Sequence, residues 1–312
     1  MTYLAAVQTK LEPEAYKTPV DFSAWIFEQT AKALATRDPA VPALVAFPEL
    51  IGLPLFFFLE RDCFATSVQT AALELAKQHW LEGLKLGWQQ PRLANVLLPR
   101  AVAVHQAIVS AFSRAAKKYN TYIVAGSSFL PFVDEEAAQG VFIADSRVQN
   151  VSFLFAPSGR LLSKTAKIHL TKGLESSLGL FAVRLEDWCP TQTKIGLVGT
   201  LICYDAFFDS CIQKADALGT RILVQPSANA AKWLGAWSAD AKLIEGQEWV
   251  ARGAMTRIQA CENIEAVVNP MLVGKLFDLE FEGCSSIGFN GSRTAVFADS
   301  HTDFAVVSAV LD

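Results

Sequence analysis

The stretch VQNVSFLFAPSGRLLSKTAK (Val148–Lys167) decides the fold. Its two arms alternate apolar and polar residues around Pro157-Ser158-Gly159, the pattern of an antiparallel hairpin with a tight turn. Upstream the pattern differs. YLAAVQ (Tyr3–Gln8), ALVAFPEL (Ala43–Leu50) and TYIVAGSS (Thr121–Ser128) are short buried strands separated by helical periodicity. Downstream, KIGLVGTLICYD (Lys194–Asp205), TRILVQPS (Thr220–Ser227) and EAVVNP (Glu265–Pro270) are again buried strands with helices between them. Hairpins set among strand–helix alternation imply sheet layered on sheet with helices outside. The expected fold is therefore an α/β sandwich and not one doubly wound sheet.

The helices follow from periodicity. In Val20–Arg37, Phe22, Trp25, Ile26, Gln29 and Ala33 fall on one face. Further helices are expected over about 61–86, 102–119 and 206–218, and through Glu245–Ile264. The tail reads as mostly β, with hairpin signals at FNGSRTAVF (Phe289–Phe297) and SHTDFAVV (Ser300–Val307). There is no internal repeat and no Gly/Ser linker, so residues 1–312 read as a single domain. An extended helical segment at about 53–100 stands apart as a lid, an interface arm or two extra helices.

Composition narrows the function classes. Of 312 residues, 52% are hydrophobic, which suggests burial between subunits and a homodimer or higher homo-oligomer. The net charge is −4 with no basic stripe, which argues against nucleic acid. MTYLAAVQTK lacks the features of a signal peptide, and the apolar run Leu50–Leu59 is too short for a membrane span and is interrupted by Pro54. Cys63, Cys189, Cys203, Cys211, Cys261 and Cys284 show neither CxxC pairs nor metal-ligand spacing. The expectation is a cytoplasmic protein with reduced thiols and no metal. The sequons at Asn150 and Asn290 read as chance, Asn290-Gly291 being a turn signal.

Nucleotide-binding glycine motifs, HExxH and GxSxG are absent. Three polar residues stand beside the ends of apolar strands. Glu49 in LVAFPEL is either a solvated strand end or a partly desolvated carboxylate able to take a proton near neutrality. Lys167 is either a surface lysine or an ammonium able to hold an oxyanion. Cys203 is either a core thiol or a nucleophile at a strand-to-helix turn, where helix amides would favour thiolate. His169 and Cys211 read as packed residues.

Taken together and in order, these segments resemble the nitrilase, or carbon–nitrogen hydrolase, superfamily. LAAVQ, FPEL, YIVAGS, FAPSGRLLSKTAKIHL, GTLICYD, VQPSA, RIQACENIEAVVNPMLVG and FEGCSSI carry the resemblance almost end to end. It implies a four-layer α-β-β-α sandwich, commonly dimeric. It also implies Glu49 as general base, Lys167 as oxyanion stabiliser, Cys203 as nucleophile and the Tyr204 backbone N–H as second oxyanion donor. Glu175 is the match for a second glutamate, at a shorter spacing than is usual. No cofactor is implied, and the substrate would be a small amide or carbamoyl compound. Tyr204-Asp205 after the cysteine is similar to the amidase branches, whereas nitrilases carry Trp there. AFFDS stands where those branches continue with Arg and Pro. Arg257 matches one family arginine, and Gln259 replaces a second. Acyl transfer, nitrile hydrolysis and a silent oligomeric interaction protein are the alternatives. Phe56, Phe57 and Phe58 read as core or pocket, and Trp233 and Trp237 as pocket or rim.

Overall fold

The computed structural model describes residues 1–85, 93–136, 140–172 and 175–312. The strand Thr2–Lys10 is buried along its length except at Lys10. A strand apolar on both faces needs a layer on each side, and here it lies inside the larger sheet. It runs parallel to Ala43–Phe47 on one side. On the other it is parallel to Met271–Leu276 and antiparallel to Ala305–Leu311. Tyr122–Ala125 continues the parallel set, and the hairpin strands Ser128–Glu136, Gly140–Phe155 and Leu161–Ala166 extend it. The smaller sheet runs Val296–Phe297, Ser286–Phe289, Ala266–Asn269, Ile222–Val224, Gly196–Thr200 and Thr191–Thr193.

Three cores separate four layers. Between the sheets, Leu4, Ala6, Leu44, Ala46, Val124 and Leu154 meet Val198, Ile222, Val224, Ala266, Val268 and Ile287. Outside the larger sheet, Val45, Phe47 and Ile123 pack on Phe22 and Ile26 of helix Pro19–Ala33 and on Ile108 and Phe112 of helix Leu98–Tyr119. Outside the smaller sheet, Leu223 and Val267 pack on Cys211, Ile212 and Ala215 of helix Asp209–Ala217 and on Ala254. This is the four-layer α-β-β-α sandwich.

Local sequence accounts for the helix ends. Thr18 Oγ1 accepts the Asp21 N–H at 3.0 Å and Pro19 opens the first helix, whose Phe22, Trp25, Ile26, Gln29 and Ala33 are all buried. The second long helix stops at Asn120, which takes a left-handed φ of 47°. With its lead-in this helix is long and apolar enough to cross a membrane, but Ala101, Val104, Ile108, Ala111 and Phe112 are spent on the core.

Several expected boundaries move. The helix expected at 102–119 begins at Leu98. The stretch expected at 61–86 resolves into Val68–Gln78, started by a Ser67 cap, and Trp80–Lys85, with residue 86 outside the described residues. Gly253 breaks the expected long helix into Glu245–Arg252 and Ala254–Arg257. FNGSRTAVF forms a hairpin, Ile287 facing Val296. SHTDFAVV does not, because its strand leaves for the larger sheet and pairs with Thr2–Lys10. Phe56 and Phe57 are core residues, and Phe57 and Phe58 pack on Phe277.

Candidate active site

The strands of both sheets deliver polar residues at one end. Glu49 follows Ala43–Phe47 and Pro48, and the next residue, Leu50, is turned by a φ of 61°. Gly126 makes room for this bend. Its φ is +59°, and a Cβ there would stand 2.0 Å from the Pro48 carbonyl oxygen. Lys167 follows Leu161–Ala166, with its N–H bonded to the Asn150 carbonyl at 2.9 Å. Cys203 follows Gly196–Thr200 and opens a 3-10 turn, Cys203–Phe207. Its φ of 52° is rare for a residue with a side chain and marks local backbone strain.

The structure brings Glu49, Lys167, Glu175 and Cys203 together. Lys167 Nζ donates to Glu49 Oε1 at 2.7 Å and to Glu175 Oε2 at 2.8 Å. Both carboxylates and the ammonium are almost wholly buried. The buried Cys203 thiol lies in the same cluster and feels the charges of Glu49 and Lys167, and its Sγ lies 3.9 Å from the Ala228 carbonyl. Ala228 N–H donates to Glu49 Oε2 at 3.1 Å. Tyr204 directs its ring outward, and its backbone N–H has no protein acceptor among the described residues.

Burial sets the charges. Desolvation, reinforced by Glu175, raises the Glu49 carboxyl above its ordinary value despite the opposing pull of Lys167. Burial works to lower Lys167, but Glu49, Cys203 and Glu175 outweigh it and hold the ammonium charged. Burial and then Glu49 push the Cys203 thiol well up. The helix end that would favour thiolate does not reach Cys203. The α-helix starts only at Asp209, and Cys203 rests as a thiol beside a carboxylate able to take its proton.

Two residues were missed as site residues. Asn150 is fully buried, and its Nδ2 donates to Glu49 Oε1 and Glu175 Oε1, each at 2.8 Å. The sequence carried a signal: in VQNVSFLF, Asn150 shares a strand face with Leu154, which packs between the sheets. Asp205 accepts the backbone N–H groups of Ile168, His169 and Ile202, tying the lysine segment to the cysteine turn. A buried carboxylate that binds mainly backbone N–H groups is hard to see in sequence. Gln225 completes the turn, donating to the Cys203 carbonyl at 3.2 Å.

His169 and Cys211 are packed. His169 stacks on Phe208 with ring centroids 3.7 Å apart, and Cys211 is buried. Arg257 pairs with Asp209, and Gln259 bonds the Phe289 carbonyl at 2.7 Å. Trp233 is buried beside Trp249, whereas Trp237 lies under Arg252. Among the described residues no group of acidic, His and Cys side chains could hold a metal ion.

The carbon-nitrogen hydrolase family matches residues 5–295 of this chain, and the chain belongs to that family. The amidase from Nesterenkonia sp. AN1 shares its fold. A glutamate-to-glutamine variant of that amidase, showing the result of Michael addition of acrylamide at the active site cysteine, superposes with a TM-score of 0.63. The identity is 16%, over 100% of this chain and 94% of that one. The carbon-nitrogen hydrolase from Helicobacter pylori G27 has a TM-score of 0.61 and 16% identity, over 98% and 88%. The probable hydrolase YhcX of Bacillus subtilis (strain 168) is 27% identical over 144 residues, 45% of this chain and 25% of the relative. The matched chain thus spans a quarter of that relative's length.

Proposed function

We propose that this protein hydrolyses the C–N bond of a small amide or carbamoyl compound through a thioester on Cys203. The observation that carries the reading is the buried Lys167 ammonium bonded to both Glu49 and Glu175, with the buried Cys203 thiol in the same cluster. Amidase structural neighbours support it, as does Tyr204 after the cysteine.

Donor and acceptor counting assigns the steps. An ammonium has three N–H bonds. Two go to Glu49 and Glu175, which leaves one for an oxyanion. A carboxylate oxygen has two lone pairs. Those of Glu49 Oε1 are taken by Lys167 and Asn150, whereas among the described residues Oε2 accepts only the Ala228 N–H and keeps one free. Oε2 therefore receives the thiol proton as Sγ attacks the carbonyl carbon. The negative oxygen is held by the Lys167 ammonium and the Tyr204 N–H. Collapse breaks the C–N bond, and the leaving ammonia or amine takes the proton from Glu49. Glu49 then deprotonates a water, which attacks the thioester. The acid departs and the thiol regains its proton. Splitting one hard step into two is the gain from covalent catalysis, and each oxyanion donor contributes about 100- to 1000-fold.

A panel of amides, carbamoyl compounds and nitriles, assayed for ammonia release, tests this. The expected result is release from amides or carbamoyl compounds by the parent protein and none by Cys203→Ala. Release that survives the substitution would sink the mechanism, and release from nitriles alone would replace the substrate class.

A further inference from the structure

We propose that Asn150 is a positioning residue whose side-chain amide, donating one N–H to Glu49 and the other to Glu175, clamps both carboxylates against Lys167 and reserves Glu49 Oε2 for the Cys203 proton. The proposal rests on the hydrolase reading above. Asn150 lies within the Gly140–Phe155 strand at zero exposure, which rules out glycan attachment at its sequon in the folded chain. Both Nδ2 contacts are 2.8 Å, one to each carboxylate. The amide orientation follows from chemistry, since carboxylate oxygens only accept. Among the described residues the buried Asn150 Oδ1 has no hydrogen-bond partner, so within them the side chain is held from the donor side. A purely structural asparagine in a core satisfies both ends.

The main chain at the same residue holds the third member. Asn150 carbonyl accepts the Lys167 N–H at 2.9 Å, so one residue fixes the lysine backbone and both of its carboxylate partners. The groups facing Glu49 are Lys167 from the strand end, Glu175 from the short helix Glu175–Leu178, Cys203 from its turn and the Ala228 N–H. Glu175 and Glu49 share one ammonium, which leaves an excess of negative charge in a dry volume. The neutral amide offsets that excess without adding a second cation. Without it, both Oε1 atoms lose a donor, and Glu49 is held by Lys167 and the Ala228 N–H alone.

The test needs no known substrate. Cys203 alkylation by iodoacetamide is followed against pH by mass spectrometry of its peptide, in the parent, Asn150→Ala and Asn150→Ser. Thiolate formation requires ionised Glu49, so the rate falls on the acid side as Glu49 protonates. A hydrogen bond to the charged form favours that form, and its loss raises the pKa. The acid limb of Asn150→Ala is expected to move up by about one pH unit, roughly tenfold in rate at a fixed pH on the limb. Asn150→Ser, which keeps one donor, is expected to fall between. Circular dichroism confirms that each variant is folded. Limbs that superimpose on the parent's overturn the proposal, and Asn150→Ser decides by the same comparison if Asn150→Ala does not fold. Failure of the hydrolase reading looks different: the parent's own Cys203 then alkylates as an unassisted thiol, with its limb at alkaline pH and unmoved by Asn150, and the parent releases no ammonia.

Discussion

At the scale of single residues, the site depends on how burial weighs against charge partners. Lys167 is nearly inaccessible yet stays charged, because two carboxylates lie within 2.8 Å. His105 shows the reverse. It packs against Phe153 at 5.7 Å between ring centroids, and both ring nitrogens are buried without hydrogen-bond partners among the described residues. Burial, with Lys164 nearby, lowers its pKa to about 4. The unfolded chain takes up this proton near the ordinary 6.5, and the folded chain only near 4. Stability is therefore intact above 6.5 and lost as pH falls toward 4, by roughly 2 kcal/mol once partial exposure is discounted. Urea titrations over this range should show a flatter profile for His105→Leu than for the parent. An unchanged slope would assign the acid sensitivity elsewhere.

At the scale of elements, the catalytic geometry depends on how separate segments are tied together. Asp205 joins the strand end at Lys167 to the turn at Cys203 through three backbone N–H groups. Asp205→Ala would leave buried donors unpaired at about 1–3 kcal/mol each. It should cost at least about 3 kcal/mol in urea unfolding and lower catalysis by at least about 100-fold, since misplacement of about 1 Å costs that much. Asp205→Asn, which keeps one oxygen acceptor, should lose less. Equal stability of Asp205→Ala and parent would show that the turn holds itself. This tie was only half legible in sequence. Strand ends, the Gly126 bend and the Phe22 face follow from local pattern. The 3-10 turn at Cys203, with its left-handed φ, does not, because Gln225, remote in the chain, holds the Cys203 carbonyl.

At the scale of the whole molecule, the two sheets must approach closely enough to present Glu49, Lys167 and Cys203 to one another. Small residues permit that approach. Ala6 and Ala46 are fully buried between the sheets. Ala46→Leu adds volume there and should cost about 1–3 kcal/mol, read as a lower urea midpoint. An unshifted midpoint would mean that the interface has slack.

The order of buried strands, hairpins and helices was determined by the sequence alone, because periodicity and turn chemistry are local properties. So was the resemblance that singled out Glu49, Lys167 and Cys203. Only the tertiary structure decided the rest. SHTDFAVV looked like a hairpin but crosses to the larger sheet, since strand pairing is chosen by non-local burial. Asn150 looked like an accidental sequon but sits between Glu49 and Glu175, residues 101 and 25 positions away in the chain. Burial, and then Glu49, pushes the Cys203 thiol well up, a property that no single segment possesses.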